Sequence, residues 1–320
     1  MIVLVTRRLP APALEKISAA LTLDLWDSDD PPEQAVLMDR VRGKAGILCT
    51  ISDRIDAALM DAAGGSLKVI SQMAVGYDNI DIHAAAARGI VVGNTPGVLT
   101  EATADLALAL LLAAARRLPE GSATIRAGRW TTWRPMEQLG RDLHGATLGI
   151  IGFGRIGQAV ARRAHGFGLH ILAYSPSLTA EDARQHGAER ADLTDLLRRS
   201  DFVSLHTPLN ADTRHLIDAA ALAHMKPDAI LINTARGAVV DQEALTEALQ
   251  NGRIGGAALD VTDPEPMRPD DPLLSLPNVL IVPHVGSATH HTRTRMALMA
   301  ADNLIAGVRG EPLPNPVRVS

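Results

Sequence analysis

The sequence predicts an α/β protein built on parallel sheets, and three observations carry that prediction. Short β-rich runs alternate with Ala-rich or charged helical stretches, both before residue 97 and again after residue 145. A glycine-rich turn, Gly152-Phe153-Gly154-Arg155-Ile156-Gly157, stands between a strand-like run and a helix-like run. A length of 320 residues suits about two domains and is enough to bury a large core without disulfides.

Taken in order, the first strand-like runs are 2–6, 21–25, 46–49, 68–70 and 90–92, each rich in Ile, Val or Leu. Asn94-Thr95-Pro96-Gly97 then breaks the alternation with turn chemistry. A long helix is expected over 99–118, because Ala and Leu dominate and neither Gly nor Pro intervenes before Pro119. Its middle is apolar all round, which predicts burial between domains or subunits. The stretch 121–145 holds Gly128, Pro135, Gly140, Trp130 and Trp133 and reads as a loop or arm. Buried strands are then expected at 147–151, 169–173, 201–205, 229–232, 256–259 and 279–282, and a last helix over 287–307 precedes a Pro-rich tail.

Composition excludes several classes of function. Only eight residues are aromatic (three Trp, two Tyr and three Phe), so the core must be aliphatic and little is left for stacking bases. Thirty-six acids against 31 bases give a net charge of −5, with no basic block to form a nucleic-acid footprint. The apolar stretch 107–115 falls well short of the ~18–20 residues that span a bilayer. A single cysteine, Cys49, rules out an internal disulfide. The N-terminal apolar run is too short for a signal peptide, so a cytoplasmic location is the expectation. No His, Cys and Asp spacing matches a metal site.

The glycine turn is the clearest chemical signal. Gly152, Gly154 and Gly157 would permit a tight turn, close approach of a pyrophosphate to the backbone, and close helix packing, with the phosphate at the helix N-terminus. The next strand ends at Ser175, where NAD-binding folds usually present an acid to the ribose 2′-hydroxyl. A serine removes the repulsion that a 2′-phosphate would meet, and the nearest arginine in sequence is Arg184, so either NADPH or NADH can be accommodated. Farther on, Arg236, Glu265 and His284 each follow a late strand, where open α/β sheets place ligands.

With these residues in view, the chain resembles the D-isomer-specific 2-hydroxyacid dehydrogenase family, and within it the glyoxylate/hydroxypyruvate reductase branch. The likeness is carried by residues 75–81 (Val-Gly-Tyr-Asp-Asn-Ile-Asp), 99–105, the tryptophan arm, the Gly152 turn, 233–237, 259–266 and 283–289. It implies two doubly wound parallel-sheet domains, a Rossmann-type nucleotide domain inserted in a flavodoxin-like substrate domain. Residues 1–96 and 288–320 would form the discontinuous substrate domain, and 97–287 the nucleotide domain with its dimerisation helix and arm at 99–145. It also implies a homodimer in which Trp133 reaches the partner's site. This chain departs from close relatives after Pro135, where Met136-Glu137-Gln138 replaces a further aromatic.

The resemblance further implies reduction of glyoxylate to glycolate and of hydroxypyruvate to D-glycerate with NADPH or NADH. Alternatives are a dehydrogenase of another D-2-hydroxyacid, or a nucleotide-sensing binding protein like the family's corepressors. A protonated imidazole suits proton delivery to the developing alkoxide, and a neighbouring carboxylate holds its orientation and favours the charged ring. His284 takes the first role and Glu265 the second, while Arg236 offers a planar fork for the substrate carboxylate. Backbone N–H groups at Val75 and Gly76 would hold the other carboxylate oxygen. On the cofactor side the family match points to Arg155 and Ile156 at the pyrophosphate and Ser175 at the ribose. Pro208, Thr213, Thr234 and Ala235 would line the groove, Asp260 would meet the nicotinamide carboxamide, and Thr103, His284 and Gly286 would lie beside it. His206 and His215 read as packing or loop residues.

Overall fold

The computed structural model describes residues 1–318 and divides into two compact units: Met1–Leu99 together with the chain from Ala288 onward, and Thr100–Ser287. The division falls after Leu99 rather than after residue 96, because Val98 and Leu99 pack with the apolar core of the first unit.

The first unit carries strands β1 (Ile2–Val5), β2 (Thr22–Leu25), β3 (Gly46–Cys49), β4 (Val69–Gln72) and β5 (Val91–Gly93). Between them run helices α1 (Ala11–Ala20), α2 (Gln34–Arg40), α3 (Ala57–Ala63) and α4 (Ile82–Ala87). The sheet is parallel in the order β2-β1-β3-β4-β5. Alternation along each strand feeds two cores, which is why the runs read as continuously apolar. Val3, Val5, Leu48 and Val69 face α1 and the C-terminal helix His290–Arg309, whereas Leu4, Ile47, Cys49 and Ile70 face α2, α3 and α4. The C-terminal helix approaches so closely that a Cβ on Gly307 would lie 2.5 Å from Val69 Cβ. Beyond it the tail returns to the edge of β5, where Val317 N–H donates to Val92 O. Two-sided burial and the C-terminal return therefore explain how short, four-residue strands hold a stable sheet.

The second unit begins with α5 (Thr100–Ala115) and α6 (Leu118–Arg126). The single helix expected over 99–118 is thus broken. Arg117 turns into the left-handed region at φ 52°, and the returning chain at Gly140 and Arg141 seals the end of α5, with Arg141 N–H donating to Ala115 O at 2.8 Å. Pro119 opens α6 instead of ending a helix, a position where its missing N–H costs nothing. There follow β6 (Thr147–Ile151), α7 (Arg155–Ala164), β7 (His170–Tyr174), α8 (Ala180–Gln185), β8 (Glu189–Arg190) and α9 (Leu193–Arg199). The remainder is β9 (Phe202–Leu205), α10 (Ala219–His224), β10 (Ile230–Asn233), α11 (Gln242–Gln250), β11 (Gly256–Leu259) and β12 (Val279–Ile281).

This parallel sheet has the order β12-β11-β10-β9-β6-β7-β8, so the strand order reverses between β6 and β9. One face is covered by α5 and α7, the other by α9, α10 and α11. Both units are therefore doubly wound α/β folds, and in each the C-terminal strand ends are where loops can present chemistry. Among the described residues no helix is long and apolar enough to cross a membrane.

Candidate active site

At the reversal point, β6 runs into the glycine turn and then α7. Gly152 takes φ 91°, and a Cβ there would meet the His206 and Thr207 backbone at 2.5 to 2.6 Å. A Cβ on Gly157 would lie 2.2 Å from Gly152 O, so the third glycine sets how closely helix and turn approach. At Gly154 a Cβ would meet nothing within 4 Å, and α7 starts there with no side-chain cap. Open space in front of uncapped N–H groups at Arg155 and Ile156 fits a pyrophosphate. Phe153 does not face that space; its ring is buried and meets His186 edge-on at 5.8 Å. Ser175 Oγ accepts the Phe153 N–H at 2.8 Å, which ties the end of β7 to the turn and leaves its own hydroxyl proton to donate. These features fit a dinucleotide whose ribose lies at Ser175.

Arg236, Glu265 and His284 follow the neighbouring strands β10, β11 and β12. His284 Nδ1 stands 2.5 Å from Glu265 Oε1, with 26% and 36% of the two side chains exposed. The pair is charge-assisted whenever the ring is protonated, and it leaves Nε2 as the nitrogen that can face a substrate oxygen.

Two buried side chains shape these loops. Asp260, at the end of β11, accepts N–H groups from Val285 at 2.6 Å and Gly286 at 2.9 Å, while its own carbonyl accepts the His284 N–H. Burial pushes the Asp260 carboxyl above the usual range, and the two backbone donors pull the other way. Thr103, buried on α5, donates to Gly286 O at 3.3 Å. His284 is thus fixed at φ 51° by contacts on both sides of it. Asn233, at the end of β10, accepts the Ala235 N–H and donates to Arg236 O at 2.9 Å. Gly237 follows, where a Cβ would collide with Thr262 O at 2.0 Å. Sequence reasoning missed Asn233, and it did not see that Asp260 holds the His284 turn. Both act on backbone groups distant in sequence or hidden in a turn, where residue spacing leaves no periodic signal.

Of the other expected cofactor residues, Thr234 and Ala235 are buried at the end of β10 and Pro208 is exposed after β9. Thr213 donates its hydroxyl to Pro208 O at 2.6 Å and so closes that loop. His206 lies between Ser204 Oγ at 2.8 Å and Thr234 Oγ1 at 3.4 Å. Burial pushes its pKa down to about 3, so it is neutral at physiological pH and unsuited to proton donation. Among the described residues no cluster could hold a metal ion.

In the first unit, Val75 and Gly76 lie on the partly exposed turn after β4. Trp133 is 76% exposed and Trp130 62%, so neither ring is buried within its own chain.

A nucleotide turn at a strand-order reversal, with an acid–base pair at strand ends of the same sheet, defines a dinucleotide-dependent oxidoreductase. The chain belongs to the D-isomer specific 2-hydroxyacid dehydrogenase family, whose NAD binding domain matches residues 108–286. It is 52% identical over 316 residues to a glyoxylate reductase of Korarchaeum cryptofilum, covering 98% of this chain and 95% of the relative. A solved structure from Thermus thermophilus aligns with a TM-score of 0.91 at 51% identity, covering 99% of this chain and all of that one. The NADPH-dependent glyoxylate/hydroxypyruvate reductase of Sinorhizobium meliloti, solved with NADP and malonate, aligns with a TM-score of 0.85 at 37% identity over 99% of this chain and 96% of the other.

Proposed function

We propose that this protein reduces glyoxylate to glycolate and hydroxypyruvate to D-glycerate, using NADPH or NADH. The observation that carries the reading is the His284 and Glu265 pair at 2.5 Å, on the same sheet as the open glycine turn. The names of the similar reductases supply the substrate class.

When bound, the reduced nicotinamide supplies a hydride to the carbonyl carbon of the 2-oxoacid. His284 Nε2 gives a proton to the oxygen on which negative charge develops, and Glu265 holds the ring through Nδ1. Arg236 binds the substrate carboxylate and draws the carbonyl oxygen toward a fixed positive charge. The N–H groups of Val75 and Gly76 take the remaining carboxylate oxygen. Gly154, Arg155 and Ile156 would hold the pyrophosphate in the turn that Gly152 and Gly157 shape, and Ser175 would meet the ribose, with no acid at that position to repel a 2′-phosphate. Thr103, Pro208, Thr213, Thr234, Ala235, Asp260 and Gly286 form the rest of the cofactor groove. The purified protein should bleach the reduced-nicotinamide absorbance when glyoxylate or hydroxypyruvate is added. No turnover of any small 2-oxoacid with either cofactor would sink the reading.

A homodimer is part of the proposal. Leu118, Ile125, Trp130, Trp133, Met136 and Leu139 are all more than half exposed along α6 and the arm. An apolar groove of about 610 Å³ beside them is lined by Ala114, Ala123, Leu139, Leu276 and Leu280. Exposed large apolar side chains gathered beside an apolar groove suit a partner surface. Trp133, exposed in its own chain, would then complete the partner's substrate pocket. Sedimentation should give the mass of two chains, whereas a single-chain mass at micromolar concentration would count against the pairing. The one thiol, Cys49, is buried and in no disulfide, which suits a cytoplasmic location.

A further inference from the structure

The turn after β4 carries a feature that the proposed chemistry does not by itself explain. Three successive carbonyls of that turn are each tied down by a donor from the first unit. Ala74 O accepts the Thr95 N–H at 2.9 Å, Val75 O accepts Asn94 Nδ2 at 2.8 Å, and Gly76 O accepts Gln72 Nε2 at 3.2 Å. In a trans peptide the N–H points opposite to the carbonyl. Fixing these carbonyls therefore fixes the N–H groups of Val75, Gly76 and Tyr77 at the opposite edge of each peptide plane. No acceptor for these N–H groups is found among the described residues, and all three residues are partly exposed. Successive unpaired N–H groups on an exposed turn are available to an anion.

The donors are themselves positioned. Gln72 is fully buried; its Oε1 accepts the Cys49 thiol at 3.1 Å, and the Gly76 carbonyl, which can only accept, makes Nε2 the donor end of the amide. Its Nε2 also donates to Asn79 Oδ1 at 2.7 Å, and Asn79 in turn donates to the carbonyls of Thr50 and Asp53. Asn94, 9% exposed, is anchored through its backbone, its N–H donating to Asn315 O and its carbonyl accepting Asn303 Nδ2.

We propose that Gln72 and Asn94 are positioning residues that preset the Val75-Gly76-Tyr77 turn as a carboxylate receptor, with Tyr77 N–H as a third donor to it. The inference rests on the proposed 2-oxoacid reading and deepens it. Without these amide donors the peptide planes of the turn can rotate, and the N–H groups are no longer held facing one way. Substrate carboxylate binding weakens while hydride and proton transfer are untouched.

The test compares glyoxylate with glycolaldehyde, which has the same reacting carbonyl but no carboxylate, for the parent, Asn94→Ala and Gln72→Met. Losing one charge-assisted hydrogen bond corresponds to about 10-fold or more in KM for glyoxylate. The expected pattern is that rise with kcat nearly unchanged, and with kcat/KM for glycolaldehyde and KM for the cofactor unmoved. General damage to the fold would move both substrates together, and an unchanged ratio of the two in a folded variant overturns the proposal. Titrating oxalate into 15N-labelled protein reads the turn without turnover. The Val75, Gly76 and Tyr77 amide resonances should shift in the parent and respond far less in Asn94→Ala. If the parent shows those shifts but reduces no 2-oxoacid, the functional reading fails and the receptor stands; if it reduces glyoxylate with these amides unmoved, the receptor fails.

Discussion

Replacing His284 by Asn is expected to lower kcat for glyoxylate reduction by roughly 10²–10⁴, the range that a positioned general acid contributes. Asparagine is the informative choice because His284 has φ 51°, a region that Asn tolerates far better than Ala or a β-branched residue. The anchors of that turn belong to other residues: Asp260 holds the N–H groups of Val285 and Gly286, and the Asp260 carbonyl holds residue 284 through its backbone N–H. The substitution should therefore leave the loop in place, with the melting temperature and the affinity for NADPH close to those of the parent, while no proton is delivered to the alkoxide. His206 cannot substitute, since burial keeps it neutral. A folded, cofactor-binding His284→Asn variant that retains kcat within a few-fold would show that the proton comes from elsewhere. Glu265→Gln keeps a hydrogen-bond acceptor beside Nδ1 but removes the charge, and its loss should be smaller.

The strands, the glycine turn and the three strand-end residues were legible in the sequence because each is a local pattern. Runs such as Ile-Leu-Cys at 47–49 and Ile-Leu-Ile at 230–232 are apolar at successive positions because both faces of their sheets are covered, and such runs announce parallel strands directly. Other features depended on contacts that no window contains. The two-residue strand β8 forms only by pairing with the edge of β7. The break after α5 depends on Arg141, which returns from a distant segment to take the Ala115 carbonyl. Asn233, Gln72 and Asn94 look like ordinary polar residues at strand ends, and Asp260 reads as a cofactor contact and not as the anchor of the His284 turn. Their roles appear only once their hydrogen bonds to the backbone of the active loops are seen. The chemical groups were thus readable, and the residues that aim them were not.

Arg236→Lys is expected to reduce kcat/KM for glyoxylate by about 10²–10³, although the charge is retained. The backbone that presents this side chain is rigid: Asn233 Nδ2 holds its carbonyl, and Gly237 lets the next residue lie against Thr262 where no Cβ could fit. Arg236 Nη1 donates to Ala235 O at 2.7 Å, which fixes the plane of the fork. A lysine ammonium is a point charge without that plane, so it cannot address a carboxylate with two parallel N–H bonds from the same backbone position. The comparison with glycolaldehyde separates two roles for this residue. If Arg236 only binds the carboxylate, the Lys variant should behave like Asn94→Ala and spare glycolaldehyde. Because the guanidinium is proposed also to polarise the carbonyl, both substrates should lose kcat, and added guanidinium should restore part of the activity of Arg236→Ala on both. Unchanged glycolaldehyde kinetics in the Lys variant would confine Arg236 to substrate binding. Transition-state stabilisation would then rest on His284 and its carboxylate partner alone.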